Sequence, residues 1–204
     1  MNKFISLLLI GLLLACNTTT KKETQNTDDP NPGAIAQKER LAFADYSTLL
    51  IDYECTISIS ELAKAIDVPD TALSLSKYPE EGKCNFIIKG FGKNTLGGES
   101  EISWGSYPTS KAQNKKEIAS YLERKEDGLK IMGMDIQLAE TNDCYIAYQP
   151  AHGRIIIYNE HYDHAFLLTY GQRNANTNRT KEQHEALRFK MTTLANYLLK
   201  KHRK

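Results

Sequence analysis

Residues 144–170 read CYIAYQPAHGRIIIYNEHYDHAFLLTY, and this stretch decides the fold class. It contains three short runs with the β-branched and aromatic residues that favour strands, at 144–149, 154–158 and 165–170. The connections between these runs are much shorter than the dozen or more residues that a parallel crossover needs. The three strands are therefore predicted to be antiparallel.

Four more strand-like runs precede this stretch, at 71–77, 84–91, 99–106 and 134–140. Three helices are indicated by capping boxes, in which a Ser or Thr and a Glu or Gln three residues later satisfy each other's free backbone N–H groups. The pairs are Ser58 with Glu61, Ser110 with Gln113, and Thr180 with Gln183. A further helix is predicted within 35–52.

This order of elements predicts an α+β fold. The economical arrangement is a single antiparallel sheet of six or seven strands, packed with about three helices on a face. The sequence has no internal repeat and no second linker, so we predict one domain over 35–204.

The first sixteen residues, MNKFISLLLIGLLLAC, have the pattern of a bacterial lipoprotein signal peptide. Lys3 precedes an apolar run of about half the ~20 residues that a membrane-spanning helix needs. Leu13-Leu14-Ala15-Cys16 resembles the lipobox, although Leu14 stands where a smaller residue is commoner. We expect removal of residues 1–15 and lipidation of Cys16. The alternative is an ordinary secretory signal, in which Cys16 has no role.

Residues 16–34 are predicted to form a disordered tether behind the lipid. The segment 17–33 contains no aliphatic or aromatic residue that could be buried, and it reads NTTTKKETQNTDDPNPG. Asn17 follows the cysteine, in place of the Asp that retains lipoproteins in the inner membrane of enteric bacteria. By resemblance to that rule we expect a lipid-anchored protein of the outer membrane, on its periplasmic or its outer face.

The charges of the chain nearly cancel, with 26 Lys and Arg against 25 Asp and Glu. Cleavage after Ala15 would remove only Lys3 among the charged residues, and the mature protein would be formally neutral. Proteins that bind nucleic acids need a clustered excess of cations to displace phosphate counterions. We therefore expect no nucleic-acid partner.

Three cysteines remain besides Cys16, and an oxidising compartment favours one disulfide and one leftover thiol. Of the three pairings, we prefer Cys55 with Cys84, because Cys55 precedes a predicted helix and Cys84 opens a predicted strand. Cys144 would then be a buried strand residue. The alternative, a reactive Cys144, needs a nearby base and an electropositive environment that the sequence does not identify.

The whole pattern resembles families of small bacterial lipoproteins of unknown function whose domains belong to the PsbP-like α/β/α sandwich group. The resemblance rests on order and spacing over about 160 residues. Its carrying segments are the lipobox and tether, Cys55 with SELAKAIDVP, CNFII from Cys84, the strands CYIAY, RIIIY and HAFLLTY, and the closing MTTLANYLLKK. It implies a non-catalytic accessory or assembly protein, by analogy of fold.

The densest polar cluster lies at 159–164, NEHYDH. Imidazole and carboxylate groups are common ligands of divalent metals, and His161, Asp163 and His164, joined by His152 from the preceding turn, form the best metal hypothesis. The simpler interpretation is an ordinary polar hairpin loop, and we expect no cofactor. Convergence of His152, His161 and His164 on one point would favour the metal site.

No catalytic, phosphate-binding or dinucleotide-binding motif is present in the sequence. The leading hypothesis is therefore a non-enzymatic, lipid-anchored envelope protein that binds another envelope protein or a small ligand. The alternatives are a metal-binding protein or metal-dependent enzyme that uses the 161–164 loop, and an inhibitor or immunity-type lipoprotein.

Overall fold

The computed structural model describes residues 44–94, 96–129, 131–174 and 177–204. The predicted signal peptide, Cys16, the tether and positions 35–43 of the predicted domain lie outside the described residues. Within them, the helices are α1 (Ser47–Leu50), α2 (Ile59–Ile66), α3 (Lys111–Glu126) and α4 (Lys181–His202). The strands are β1 (Leu73–Leu75), β2 (Cys84–Lys93), β3 (Glu99–Pro108), β4 (Asp135–Leu138), β5 (Tyr145–Gln149), β6 (Arg154–Tyr158) and β7 (His164–Thr169).

All seven strands belong to one antiparallel sheet, in the order β1-β2-β3-β7-β6-β5-β4. Strands β4 to β7 form a meander, as their short connections require. Helix α3 carries the chain from β3, inside the sheet, to the edge strand β4. The predicted α+β fold, with a single antiparallel sheet of six or seven strands, is confirmed.

The three predicted helix starts are also confirmed, because the side chains of Ser58, Ser110 and Thr180 each accept a backbone N–H from the third residue of their helix. The reciprocal half of the capping box is closed at Thr180, whose N–H donates to the Gln183 side chain. Glu61 instead accepts hydrogen bonds from Tyr197 and Lys201. This places α2 against the C-terminal half of α4.

Among the described residues, the helix predicted within 35–52 corresponds to α1, which has four residues. The backbone of Asp45 pairs in both directions with that of Lys204, with N···O distances of 3.0 and 3.1 Å. This pairing uses backbone groups that a helix extended through Asp45 would need. The first described residues are therefore joined to the end of the chain.

Helices cover both faces of the sheet, whereas the order of elements alone predicted helices on one face. On one face, α1, α2 and α4 pack over Trp104, Phe166 and their neighbours. On the other, Ile118 and Tyr121 of α3 pack over β4 to β7. The reason lies in the isoleucine run of β6, where the consecutive residues 155–157 are all buried and so need cover on both faces.

The predicted disulfide between Cys55 and Cys84 is present, and it ties the segment before α2 to the first residue of β2. Cys144 is a buried free thiol that lies directly before β5. Among the residues described, no helix combines the length and apolar character that crossing a membrane requires.

Candidate functional site

Four segments of the chain meet at one end of the sheet. They are the entry to α1, the loop between β4 and β5, the loop between β6 and β7, and the end of α4. They enclose a cleft of about 400 Å³ and a neighbouring depression of about 500 Å³, and both are lined by Ala44, Asn159 and His161. We call the two together the sheet-end groove.

Asp143 is the central charged group of the groove. Its Oδ1 accepts a 2.6 Å hydrogen bond from the Tyr46 hydroxyl, and its Oδ2 lies 3.2 Å from Nε of Arg203. Burial acts to raise the pKa of this carboxyl. The hydrogen bonds from Tyr46 and Arg203 outweigh burial, and they hold the pKa below its ordinary value.

Tyr162 fixes the entry of the chain to this site. Its hydroxyl accepts a 2.6 Å hydrogen bond from the backbone N–H of Tyr46 and donates to Oδ1 of Asp45 at 3.1 Å. The same carboxylate oxygen accepts the N–H of Ser47 at 2.8 Å. The loop after β6 and the first described turn therefore hold each other in place.

Asn159 fixes the loop from within. Its Nδ2 donates to the carbonyl oxygen of Asp143 at 3.2 Å, and its Oδ1 accepts the N–H of His161 at 2.9 Å. On the other side, the buried Nδ2 of Asn114 lies within 2.9 Å of the carbonyl oxygens of both Tyr162 and His164. The predicted polar loop is thus a tightly held structure whose shape depends on buried amides.

The metal hypothesis receives no support from the position of His152. This residue lies in the turn before β6, whereas His161 follows the end of β6, and a strand of five residues is about 17 Å long. His152 and His161 therefore lie at opposite ends of β6, and the convergence that would favour a metal site does not occur.

The other predicted ligands are held in local pairs. His164 Nδ1 lies 2.8 Å from Oδ1 of Asp163, and His161 Nε2 lies 4.0 Å from Oε1 of Glu160. In the described part of the chain, no three His, Cys, Asp or Glu side chains form a group that could hold a metal ion.

Cys144 lies under the groove with its side chain fully buried. Burial is the main reason that its pKa rises to about 12, and the neighbouring charge of Asp143 adds to it, while the hydrogen bond from Asn159 opposes it. A nucleophilic cysteine needs the opposite shift. The geometry therefore disfavours a reactive Cys144.

The groove carries an excess of negative charge. Its two parts are lined by four carboxylates and by two side chains that are always cationic, Lys111 and Arg203. The carboxylates are Asp45, Asp143, Glu160 and Asp163. Large apolar side chains lie in both parts, since Leu138 lines the cleft and is 46% exposed, and Ile51 lines the depression and is 44% exposed.

Sequence analysis identified the 159–164 loop but missed the residues that build the groove around it. Tyr46, Asn114, Asp143 and Arg203 carry no local motif, and they act through partners up to 116 residues away in the chain. Comparisons of the chain with models of known protein families, with curated proteins and with solved structures found no match.

Proposed function

We propose that the protein is a lipid-anchored envelope protein that holds a basic, partly apolar segment of another envelope protein in the sheet-end groove. The observation that carries this proposal is the composition of the groove: Ile51 and Leu138 present exposed apolar surface, and carboxylates outnumber cations around His161. Complementary charge and apolar anchors are the usual means by which protein surfaces recognise polypeptides.

The predicted lipid anchor would hold the sheet-end groove close to the membrane surface. Ala44 lines the groove, so the chain enters the domain beside it. As a flexible coil, the predicted tether of residues 17–33 would have a root-mean-square span of about 20 to 25 Å. A lipid on Cys16 would then keep the groove within reach of proteins at the surface of the outer membrane.

A binding role without catalysis fits the chemistry of the groove. Asp143 is committed to Tyr46 and Arg203, and burial keeps Cys144 in its protonated form. Both groups therefore stabilise the groove and are poorly suited to act as a base or a nucleophile. The resemblance to PsbP-like lipoproteins supports the same accessory role.

The test is photo-crosslinking in intact cells of the source organism. A photoreactive amino acid replaces His161 in the full-length chain, and the matched control carries it at the exposed Lys115 of α3. We expect a discrete protein adduct from position 161 that weakens when Glu160→Gln and Asp163→Asn are added. The proposal is wrong if position 161 gives no adduct, if both positions give the same adducts, or if the charge changes have no effect.

The identity of the captured protein then separates two forms of the proposal. A component of an envelope assembly indicates an accessory protein, and an enzyme or toxin indicates the inhibitor or immunity type. Anchoring has its own readout, because Cys16→Ser should release the protein from the membrane fraction and abolish its labelling by radioactive palmitate.

A further inference from the structure

Arg179 lies at the opposite end of α4 from the sheet-end groove, and it is buried, with only 6% of its surface exposed. Its guanidinium donates to the carbonyl oxygens of Phe91 at 3.0 Å, Tyr170 at 2.8 Å and Gly171 at 2.9 Å. It also donates to Oγ of Ser100 at 2.8 Å. All four acceptors are neutral, so they satisfy hydrogen bonds without cancelling the charge.

No ion pair among the described residues includes Arg179. Burial lowers its pKa, as expected for a cation removed from water, although the guanidinium stays charged at neutral pH. A buried charge is normally paired, because removing an uncompensated charge from water is unfavourable. The end of α4 that follows Arg179 carries the positive pole of the helix dipole and adds to the unmet positive charge.

One N–H of the guanidinium has no acceptor in this set. Arginine has five N–H groups, and the four hydrogen bonds above use one on Nε, two on Nη1 and one on Nη2. His184 Nδ1 lies 3.4 Å from Nη1, whose two hydrogens already meet carbonyl oxygens. The remaining donor is therefore on Nη2.

A pocket of about 250 Å³ is lined by Arg179 and Gly171, together with Asn94, Gln172 and Thr177. Gly171 has a φ of +75°, and a Cβ built on it would lie 3.7 Å from Nη2 and 3.8 Å from Nη1. The absence of a side chain at this position therefore leaves space directly beside the guanidinium. The volume is below the range of drug-sized ligand sites, and it suits a single small group.

We infer that this pocket, with Arg179 as its floor and the open face of Gly171 as its entrance, binds a small oxyanion, either a phosphate or a carboxylate group. The free N–H on Nη2 can donate one hydrogen bond to an oxygen of either group, and such charge-assisted bonds are about twice as strong as neutral ones. One group opposes the ion: the exposed Glu101 also lines the pocket. Its charge should weaken binding, and its side chain can turn toward water.

The site is independent of the proposed partner groove. Arg179 precedes α4 and Arg203 follows it, and a helix of 22 residues is about 33 Å long. Failure of the crosslinking experiment at His161 would therefore leave this inference untouched, and the reverse also holds.

The experiment measures binding of inorganic phosphate to the full-length protein by titration calorimetry at constant ionic strength, with succinate as the carboxylate probe. The phosphate and succinate concentrations stay in the low millimolar range. At these concentrations, nonspecific salt effects on the folded protein are small. We expect saturable binding of at least one of the two probes. Vesicles of phosphatidylglycerol, added in a separate arm, show whether the phosphate of a lipid headgroup also enters the site.

Two variants test the assignment to Arg179. Gly171→Asp places a carboxylate beside the guanidinium and should reduce affinity at least about tenfold, because an internal anion replaces the ligand. Glu101→Gln removes the opposing charge and should tighten binding about two- to fivefold. The matched control is Gly128→Asp, which adds the same charge at another glycine of positive φ with nothing near its Cβ, and it should bind like the parent protein.

The inference is overturned if neither probe binds saturably, or if Gly171→Asp binds as tightly as Gly128→Asp. Glu101→Gln introduces no backbone strain and so keeps the test decisive if Gly171→Asp does not fold. Weaker binding in Glu101→Gln would also overturn the inference, because it would show that Glu101 supports the pocket and does not oppose its ligand.

Discussion

The hydroxyl of Tyr46 donates a 2.6 Å hydrogen bond to Asp143, across 97 residues of sequence. Arg203, one residue before the end of the chain, contacts the other oxygen of the same carboxylate. A single side chain thus joins the start of the described chain, the loop after β4 and the end of α4. The groove exists because these three segments meet.

Replacing this carboxylate should loosen the whole end of the sheet. We expect Asp143→Asn to lower the free energy of unfolding by about 2 kcal/mol at pH 7, because a mostly buried group loses its negative charge and one of its two acceptor oxygens. Urea denaturation of the variant measures the loss. The exposed Asp52→Asn serves as control, and equal stabilities of the two variants would contradict the prediction.

The same contribution should depend on pH. The pKa of Asp143 is lowered in the folded protein, so its stabilising effect is fully present above the ordinary unfolded pKa and disappears as pH falls through the folded pKa. The stability difference between the parent protein and Asp143→Asn should therefore be constant from pH 7 to about pH 5 and shrink below about pH 4. A difference that grows on acidification would contradict this.

Cys144 should resist thiol reagents in the folded protein. With a pKa of about 12, its thiolate is a very small fraction at neutral pH, and the thiol itself is fully buried. Mass spectrometry after treatment with N-ethylmaleimide at pH 7 should show Cys144 unmodified in the native state and modified in urea. Rapid native modification would reopen the nucleophile hypothesis.

Reduction of the Cys55–Cys84 disulfide should destabilise the fold substantially. The bond closes a loop of 29 residues, which corresponds to about 3 to 4 kcal/mol in the chain-entropy model. Thermal denaturation with and without reductant tests this value. The double variant Cys55→Ala/Cys84→Ala is the control, since reductant should leave its melting temperature unchanged.

The 159–164 loop should hold no stoichiometric metal ion, in contrast to what the metal hypothesis predicts. Because His161 and His164 are held in local pairs with carboxylates, we expect zinc and copper far below one atom per chain in protein purified without a histidine tag. Elemental mass spectrometry should give the same content for the variant His161→Ala/His164→Ala. Near-stoichiometric metal that is lost in this variant would support a metal site and count against the proposed function.

Local patterns predicted much of the fold. In the run 154–158, apolar and polar residues do not alternate, as they would in a strand with one solvent-exposed face. The run forms β6 with the predicted bounds. The caps at Ser58, Ser110 and Thr180 mark their helices because each cap is a contact between residues three apart. The Cys55–Cys84 disulfide was predicted because Cys55 precedes a predicted helix and Cys84 opens a predicted strand.

Long-range pairing was beyond such patterns. Nothing local indicates that β3 pairs with β7, or that α3 covers the second face of the sheet. Arg179 belongs to the polar segment NANTNRT, which is typical of an exposed turn, and yet it is buried among backbone carbonyls of distant strands. Charged and amide side chains whose partners come from other segments carry no signal of their burial in a single sequence.

The pairing of Asp45 with Lys204 also has a mechanical consequence. Tension that reaches the domain through the chain before Ala44 would be borne first by the two backbone hydrogen bonds between these residues. Lys204 lies just beyond α4, and Asp45 also accepts a hydrogen bond from Tyr162 in the loop after β6, so the load would be shared between the longest helix and this loop.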